Sequence, residues 1–206
     1  MQLKANRVAA EADGGSARTY SGPAFFSAGF RPFFLSASLF AGLAVPRVLG
    51  AAGTVEIYMR SDLLGAEVWF DPTGIHLEPG QTVSWIVEGN VHTTTAYHPH
   101  NDQHSLRIPE GALPWDSGFL MYKGDRFAVT LTVEGVYDYY CMPHEAAGMV
   151  GRIVVGMPGG PGALPFDYFV GRPGTEAWKP VPSAAQKTFP SIERIMQQQI
   201  VALARA

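Results

Sequence analysis

The stretch VYDYYCMPHEAAGMVGRIVVG, residues 136–156, contains the only cysteine of the chain, and the reading of the whole protein starts from it. Cys141 closes an aromatic run; His144 follows three residues later and Met149 eight residues later. A single cysteine in 206 residues forms no intrachain disulfide, which leaves packing or metal ligation as its role. A thiolate, an imidazole and a thioether from one short loop are donors suited to a copper ion that alternates between Cu(II) and Cu(I). The thiolate stabilises the reduced ion, imidazole suits both states, and a weak thioether contact tunes the potential. Pro143 and Gly148 allow the loop tight turns that would strain other residues.

Outward from this loop, residues 53–157 read as strands. TVEIYM, AEVWF, RFAVTLTV, GVYDYYC and GRIVVG are alternating or rich in β-branched and aromatic residues. IHLEPGQTVSWIV reads as two strands around Pro79-Gly80, and NVHTTTAY as a further β-branched run. Seven to eight short strands at regular intervals, with no helical period among them, predict an all-β Greek-key sandwich or barrel. HPHNDQHSLRIPEGALPWDSG, residues 98–118, breaks the pattern with turn residues and is expected to be a long surface excursion. Tyr139 and Tyr140 are strand neighbours, so one should face the core and the other outward. A ring next to the thiolate could also serve as an electron exit.

The flanks differ from this centre. In residues 1–52, the apolar block Phe33–Val45 lies between Arg31 and Arg47 and precedes the small residues Gly50, Ala51 and Ala52. It is shorter than the roughly 20 residues that span a bilayer. It reads as an export leader, as an uncleaved membrane anchor with Arg31 reaching the interface, or as a packed helix. Residues 158–190 form a Pro/Gly-rich linker with aromatic islands. A helix is expected from Ser191 to Ala206, with Ser191 as N-cap and an apolar stripe of Ile192, Ile195, Met196, Ile200 and Leu203. That stripe can pack on the protein's own sheet or dock a partner. The net charge of -3 and the lack of basic runs argue against a nucleic-acid surface.

A second imidazole has to come from a distant segment that ends beside the loop. His92, just after a turn and at the head of a β-branched run, is the best candidate; His76, His98, His100 and His104 are the others. At this point GVYDYYCMPHEAAGMVGRIVV resembles the C-terminal copper loop of the cupredoxins, in the plastocyanin/pseudoazurin branch. Gly135, Tyr137, Tyr139, Cys141, Pro143, His144, Gly148, Met149 and Gly151 all match that family's pattern. Upstream, FDPTGIHLEPGQTVSWIVEGNVHTTTAY is similar to the family's stretch leading to its first ligand histidine, which points to His92. The resemblance covers residues 53–157 and implies a single type 1 copper held by His92, Cys141, His144 and Met149. It also implies an electron carrier rather than an enzyme, located in the periplasm or otherwise outside the cytoplasm. Redox partners would dock on the apolar patch of Met142, Pro143, Ala146 and Ala147 around His144.

Two departures from the family pattern carry consequences. Thr93 stands where plastocyanins commonly place an asparagine that stiffens the ligand loops, so a hydroxyl would have to take over that bonding. The excursion 98–118 places additional groups near the copper end. Within it, His98-x-His100-x3-His104 could hold a second metal, although a polar surface loop is the favoured reading because no carboxylate base is arranged beside it. Two other roles remain open: copper storage or delivery, and a subunit of a larger membrane oxidoreductase. Ready release of Cu(I) to a chelator would mark the first, and co-purification with membranes the second.

Overall fold

The computed structural model describes residues 53–203. The expected leader or membrane-anchor segment, residues 1–52, lies outside them, as does the end of the expected C-terminal helix, residues 204–206. Among the described residues, no helix is long and apolar enough to cross a membrane.

Among the described residues, nine strands form two sheets packed face to face. The first sheet orders as β2 (Val68–Asp71), β1 (Thr54–Ser61), β4 (Gln81–Val87), β6 (Arg126–Leu131). The second orders as β5 (Thr95–Ala96), β7 (Gly135–Tyr140), β8 (Val150–Val155), β3 (Gly74–Leu77), β9 (Ile200–Val201). Parallel pairs β1–β4 and β3–β8 lie within otherwise antiparallel sheets. Alternation decides which residues enter the core: Ile57, Met59, Val83, Trp85 and Leu131 face inward from the first sheet. Ile75, Leu77, Tyr137, Tyr139, Ile153 and Val155 meet them from the second. The expected Pro79-Gly80 turn is present, with Gly80 at φ 92, but it carries the chain from one sheet to the other instead of closing a hairpin.

The second sheet differs from the first in that its central strands are covered on both faces. Every residue of β7 and of β8 is buried, because residues 158–203 are laid across its outer side. This arm contains a 3-10 turn at Pro161–Ala163, helix α1 (Ser183–Thr188) and helix α2 (Ile192–Gln198). Its backbone runs so close to β7 that a Cβ at Gly162 would collide with the carbonyl oxygens of Val136 and Arg107. Tyr140 therefore is not the outward residue expected. Strand alternation does turn it away from the core, but Val181, Ala185, Phe166 and Phe189 of the arm cover it.

Asp138, fully buried, fastens the arm to the sheet. Its Oδ2 accepts from Arg107 Nε at 3.0 Å, and its Oδ1 from Arg152 Nε at 2.7 Å. The two guanidinium groups give their remaining N–H groups to arm carbonyls: Arg107 to Leu164 and Gly162, Arg152 to Pro190. Phe166 lies over Arg107 and Phe189 over Arg152, with centroids 4.4 and 4.9 Å from the guanidinium carbons. The segment expected to be a linker is thus a packed layer.

Two further expectations are corrected. The excursion 98–118 is not a surface loop: Ser105, Arg107, Ile108 and Trp115 are buried, and Trp115 joins the main core against Trp85 at 5.4 Å. Turn residues on both sides hid the apolar positions that this segment contributes singly. The C-terminal helix begins as expected, with Ser191 Oγ accepting from Arg194 N, but it ends at Gln198. Gln199 adopts φ 64, and Ile200–Val201 pairs antiparallel with Gly74 and Ile75 as β9. An open strand edge offered those β-branched residues backbone partners that a frayed helix end does not. The helix stripe packs on its own sheet, with Ile195 against Val136, Val154 and Val201.

Candidate metal centre

The ligand loop is built from its own backbone. Cys141 follows β7 directly and caps a 3-10 turn, Met142–Ala147, whose C-cap Gly148 has φ 85. Cys141 N–H donates to Met149 C=O at 3.0 Å, His144 N–H to Cys141 C=O at 2.9 Å, and Met149 N–H to His144 C=O at 3.1 Å. Three of the four residues expected as ligands are thereby bonded in one closed ring of backbone contacts. His92 arrives from the loop between β4 and β5. It is held by a two-way backbone pairing with Leu120: His92 N–H to Leu120 C=O at 3.2 Å, and the reverse bond at 2.9 Å.

These elements bring three donor atoms together. His144 Nδ1 lies 3.3 Å and His92 Nδ1 3.6 Å from Cys141 Sγ, and all three atoms fall within 4.8 Å of one another. Donors about 2.0–2.3 Å from one metal ion stand roughly 3.3–3.8 Å apart, so both sulfur–nitrogen separations suit a shared metal. His92, Cys141 and Met149 are buried, while His144 keeps a partly exposed edge. Met149 belongs to the same buried cluster as Cys141.

Burial sets the proton states of the metal-free site. It pushes the Cys141 thiol up to about 11, against hydrogen bonds from Thr93 and His144 that favour the thiolate. It pulls His92 down to about 4, with repulsion from His144 adding and the Gly89 backbone opposing, and it also lowers His144. Both imidazoles are therefore held neutral, as metal ligation requires, and binding has only the thiol proton to displace.

Thr93 takes over the bonding expected of it. Its N–H donates to Cys141 Sγ at 3.3 Å, and its hydroxyl accepts from Met142 N–H at 2.8 Å, tying the two ligand segments together. Two further participants were not foreseen. Thr95 Oγ1 lies 3.1 Å from Thr93 Oγ1 and donates to Asp116 Oδ1 at 3.1 Å. In sequence both looked like strand or turn residues; their role depends on a bridge between residues 95 and 116, which no local pattern announces.

The remaining histidines are dispersed. His76 sits on β3, bonded to Gln199 and Gly156. His98 and His100 form a surface pair with centroids 4.6 Å apart. His104 is buried, its ring tilted against Tyr140 with centroids 4.6 Å apart, and its Nε2 lies 3.6 Å from Glu145 Oε2. Among the described residues, the one group of three or more histidine, cysteine or acidic donors is His92, Cys141 and His144.

Residues 59–156 match the family model described as copper binding proteins, plastocyanin/azurin family. The chain is 33% identical over 129 residues to the chloroplastic plastocyanin of Hordeum vulgare, covering 56% of this chain and 75% of that one. It is 34% identical over 122 residues to the chloroplastic plastocyanin of Chlamydomonas reinhardtii, covering 56% and 74%. The chain belongs to the plastocyanin/azurin family of copper-binding proteins. A solved pseudoazurin from Sinorhizobium meliltoi is 31% identical, covering 52% of this chain and 76% of its own, with a TM-score of 0.41. The metal of this cupredoxin is accordingly copper, and the matched region takes in His92, Cys141, His144 and Met149. Both the arm, residues 158–203, and the segment before residue 59 lie beyond it.

Proposed function

We propose that His92, Cys141, His144 and Met149 hold one copper ion as a mononuclear type 1 centre, and that the protein carries single electrons between redox partners outside the cytoplasm. When bound, the copper supplies a Cu(II)/Cu(I) couple. The observation that carries this reading is the buried cluster of Sγ and two Nδ1 atoms, already at ligand spacing and fixed by backbone bonds. A loop held in this way has little freedom to rearrange between oxidation states, which favours electron transfer over metal exchange. The buried His92, Cys141 and Met149 keep water from the metal, and the partly exposed edge of His144 leaves one route to the surface.

Around that edge Met142, Pro143, Ala146 and Ala147 are exposed, as a transient docking patch requires. Phe119 and Met121, exposed on either side of the Leu120 that pairs with His92, extend the apolar surface. Tyr140 serves this reading less well as an electron exit, since the arm covers its ring. Residues 1–52 would export the domain or tether it to a membrane.

The test is a visible and EPR spectrum of the Cu(II)-loaded protein beside Cys141→Ser. An intense thiolate-to-copper band and narrow copper hyperfine splitting, both absent from the variant, are expected. A weak, ordinary tetragonal spectrum unchanged by the substitution would overturn the assignment.

A further inference from the structure

The family match ends at residue 156, yet the parts outside it and the excursion converge on the turn that carries His144. Helix α1 packs against that turn at its C-cap: a Cβ on Gly148 would come within 2.7 Å of Thr188 Oγ1 and 3.7 Å of Ala184 C=O. On the neighbouring side, Tyr97 reaches in from the end of the His92 segment. Its hydroxyl donates to Glu145 Oε1 at 2.7 Å, and Glu145 is the residue next to His144 in the turn.

The Tyr97 ring is fully buried, tilted on Tyr140 at 4.5 Å and on Phe189 of the arm at 6.1 Å. His104 completes the pocket: it stacks edge-on against Tyr97 at 5.2 Å, and its Nε2 lies 3.6 Å from the other Glu145 oxygen. His104 is itself held to the arm, because Ser105 N–H donates to Lys179 C=O at 2.9 Å and Lys179 N–H to Gln103 C=O at 2.7 Å. Glu145 is thus held in an enclosure made of the excursion, the arm and the residue that precedes Cys141.

We propose that Tyr97 is a positioning residue for the copper centre, which passes the packing of the C-terminal arm to His144 by holding Glu145. The arm is then part of the site's construction and not an appendage. A turn of six residues has no stability of its own. Its orientation is set by what grips it, and a buried aromatic with one hydroxyl directed at a side chain of the turn is a rigid grip. The sulfur-facing nitrogen of His144 is placed by the same turn, so slack at Glu145 becomes slack in the imidazole.

This inference rests on the copper reading above, and the experiment separates the two. Tyr97→Phe removes one hydroxyl and keeps the ring. In the metal-free variant, exchange of the His144, Gly148 and Met149 amides should speed up roughly fivefold, as loss of one buried hydrogen bond allows. In the copper-loaded variant, the visible band and the reduction potential should both move from the parent values. Tyr137→Phe is the matched control: it removes a hydroxyl that donates to Val133 C=O at 2.6 Å, in the connection between β6 and β7 and outside the arm. It should lower the unfolding midpoint while leaving turn exchange, band and potential as in the parent.

If Tyr97→Phe matches the parent in exchange, band and potential, the positioning role is wrong and the copper reading stands. If Tyr137→Phe moves the same quantities equally, Tyr97 has only a general structural part, and the proposal also fails. A parent protein without an intense thiolate band overturns both.

Discussion

Thr93 shows how one residue can serve both ligand segments. Its N–H is spent on the Cys141 sulfur, so only its hydroxyl is free to tie down the loop. The direction of that hydroxyl is determined: Thr95 gives its single hydrogen to Asp116, so Thr93 must donate to Thr95 and offer its lone pair to Met142 N–H. Thr93→Val keeps the shape and leaves Met142 N–H without its acceptor, which should destabilise the metal-free protein by about 1–3 kcal/mol. Denaturant midpoints for the parent, Thr93→Val and Thr93→Ser check this, with the serine variant expected near the parent. Equal losses in both variants would show that the methyl, and not the hydroxyl, matters.

At the scale of elements, the contact between the ligand turn and α1 depends on Gly148. Its φ of 85 lies where a side chain is strained, and the space a Cβ would need is taken by Thr188. Gly148→Ala should cost about 1–2 kcal/mol from the backbone alone, with the Thr188 clash in addition. Pairing it with Thr188→Ala relieves the clash and leaves the backbone part. The double variant should therefore recover only part of the loss, read as denaturant midpoints. Full recovery would mean that the left-handed conformation costs nothing there.

For the molecule as a whole, the buried ionic lock decides whether the arm stays down. Asp138→Asn keeps the shape but leaves Arg107 and Arg152 without their counter-charge, a loss expected to reach about 3–5 kcal/mol in equilibrium unfolding. A loss below about 1 kcal/mol would show that the arm carbonyls suffice to satisfy both guanidinium groups. Acid acts through another buried group. Burial lowers the pKa of His104, with Lys179 adding and Asp102 opposing, and Glu145 faces its ring. The unfolded chain takes up a proton near its ordinary value of about 6.5 that the folded chain resists. Stability of the metal-free protein should therefore fall as the pH drops through that value, and His104→Gln should flatten the slope without removing it. Unfolding midpoints from about pH 7.5 to about pH 5 provide the test. A slope unchanged by the substitution would exclude His104 as a contributor.

The copper loop and the strand pattern were readable from the chain alone because both are local. Cys141, His144 and Met149 share one turn, and inward positions such as Ile57, Met59, Val83 and Trp85 declare themselves by alternation. His92 stands out by its place after a turn at the head of a β-branched run, and the family likeness points to the same residue, but only the fold decides that it lies beside Cys141. The tertiary structure alone decided the rest: that Tyr140 is covered, that the excursion enters the core, that the tail doubles back as β9, and that Asp138 joins two arginines under the arm. Each of these depends on partners far apart in the chain. A charged residue such as Asp138 or Arg152, read in its own strand, looks like an outward-facing surface position until another layer of the same chain is laid over it.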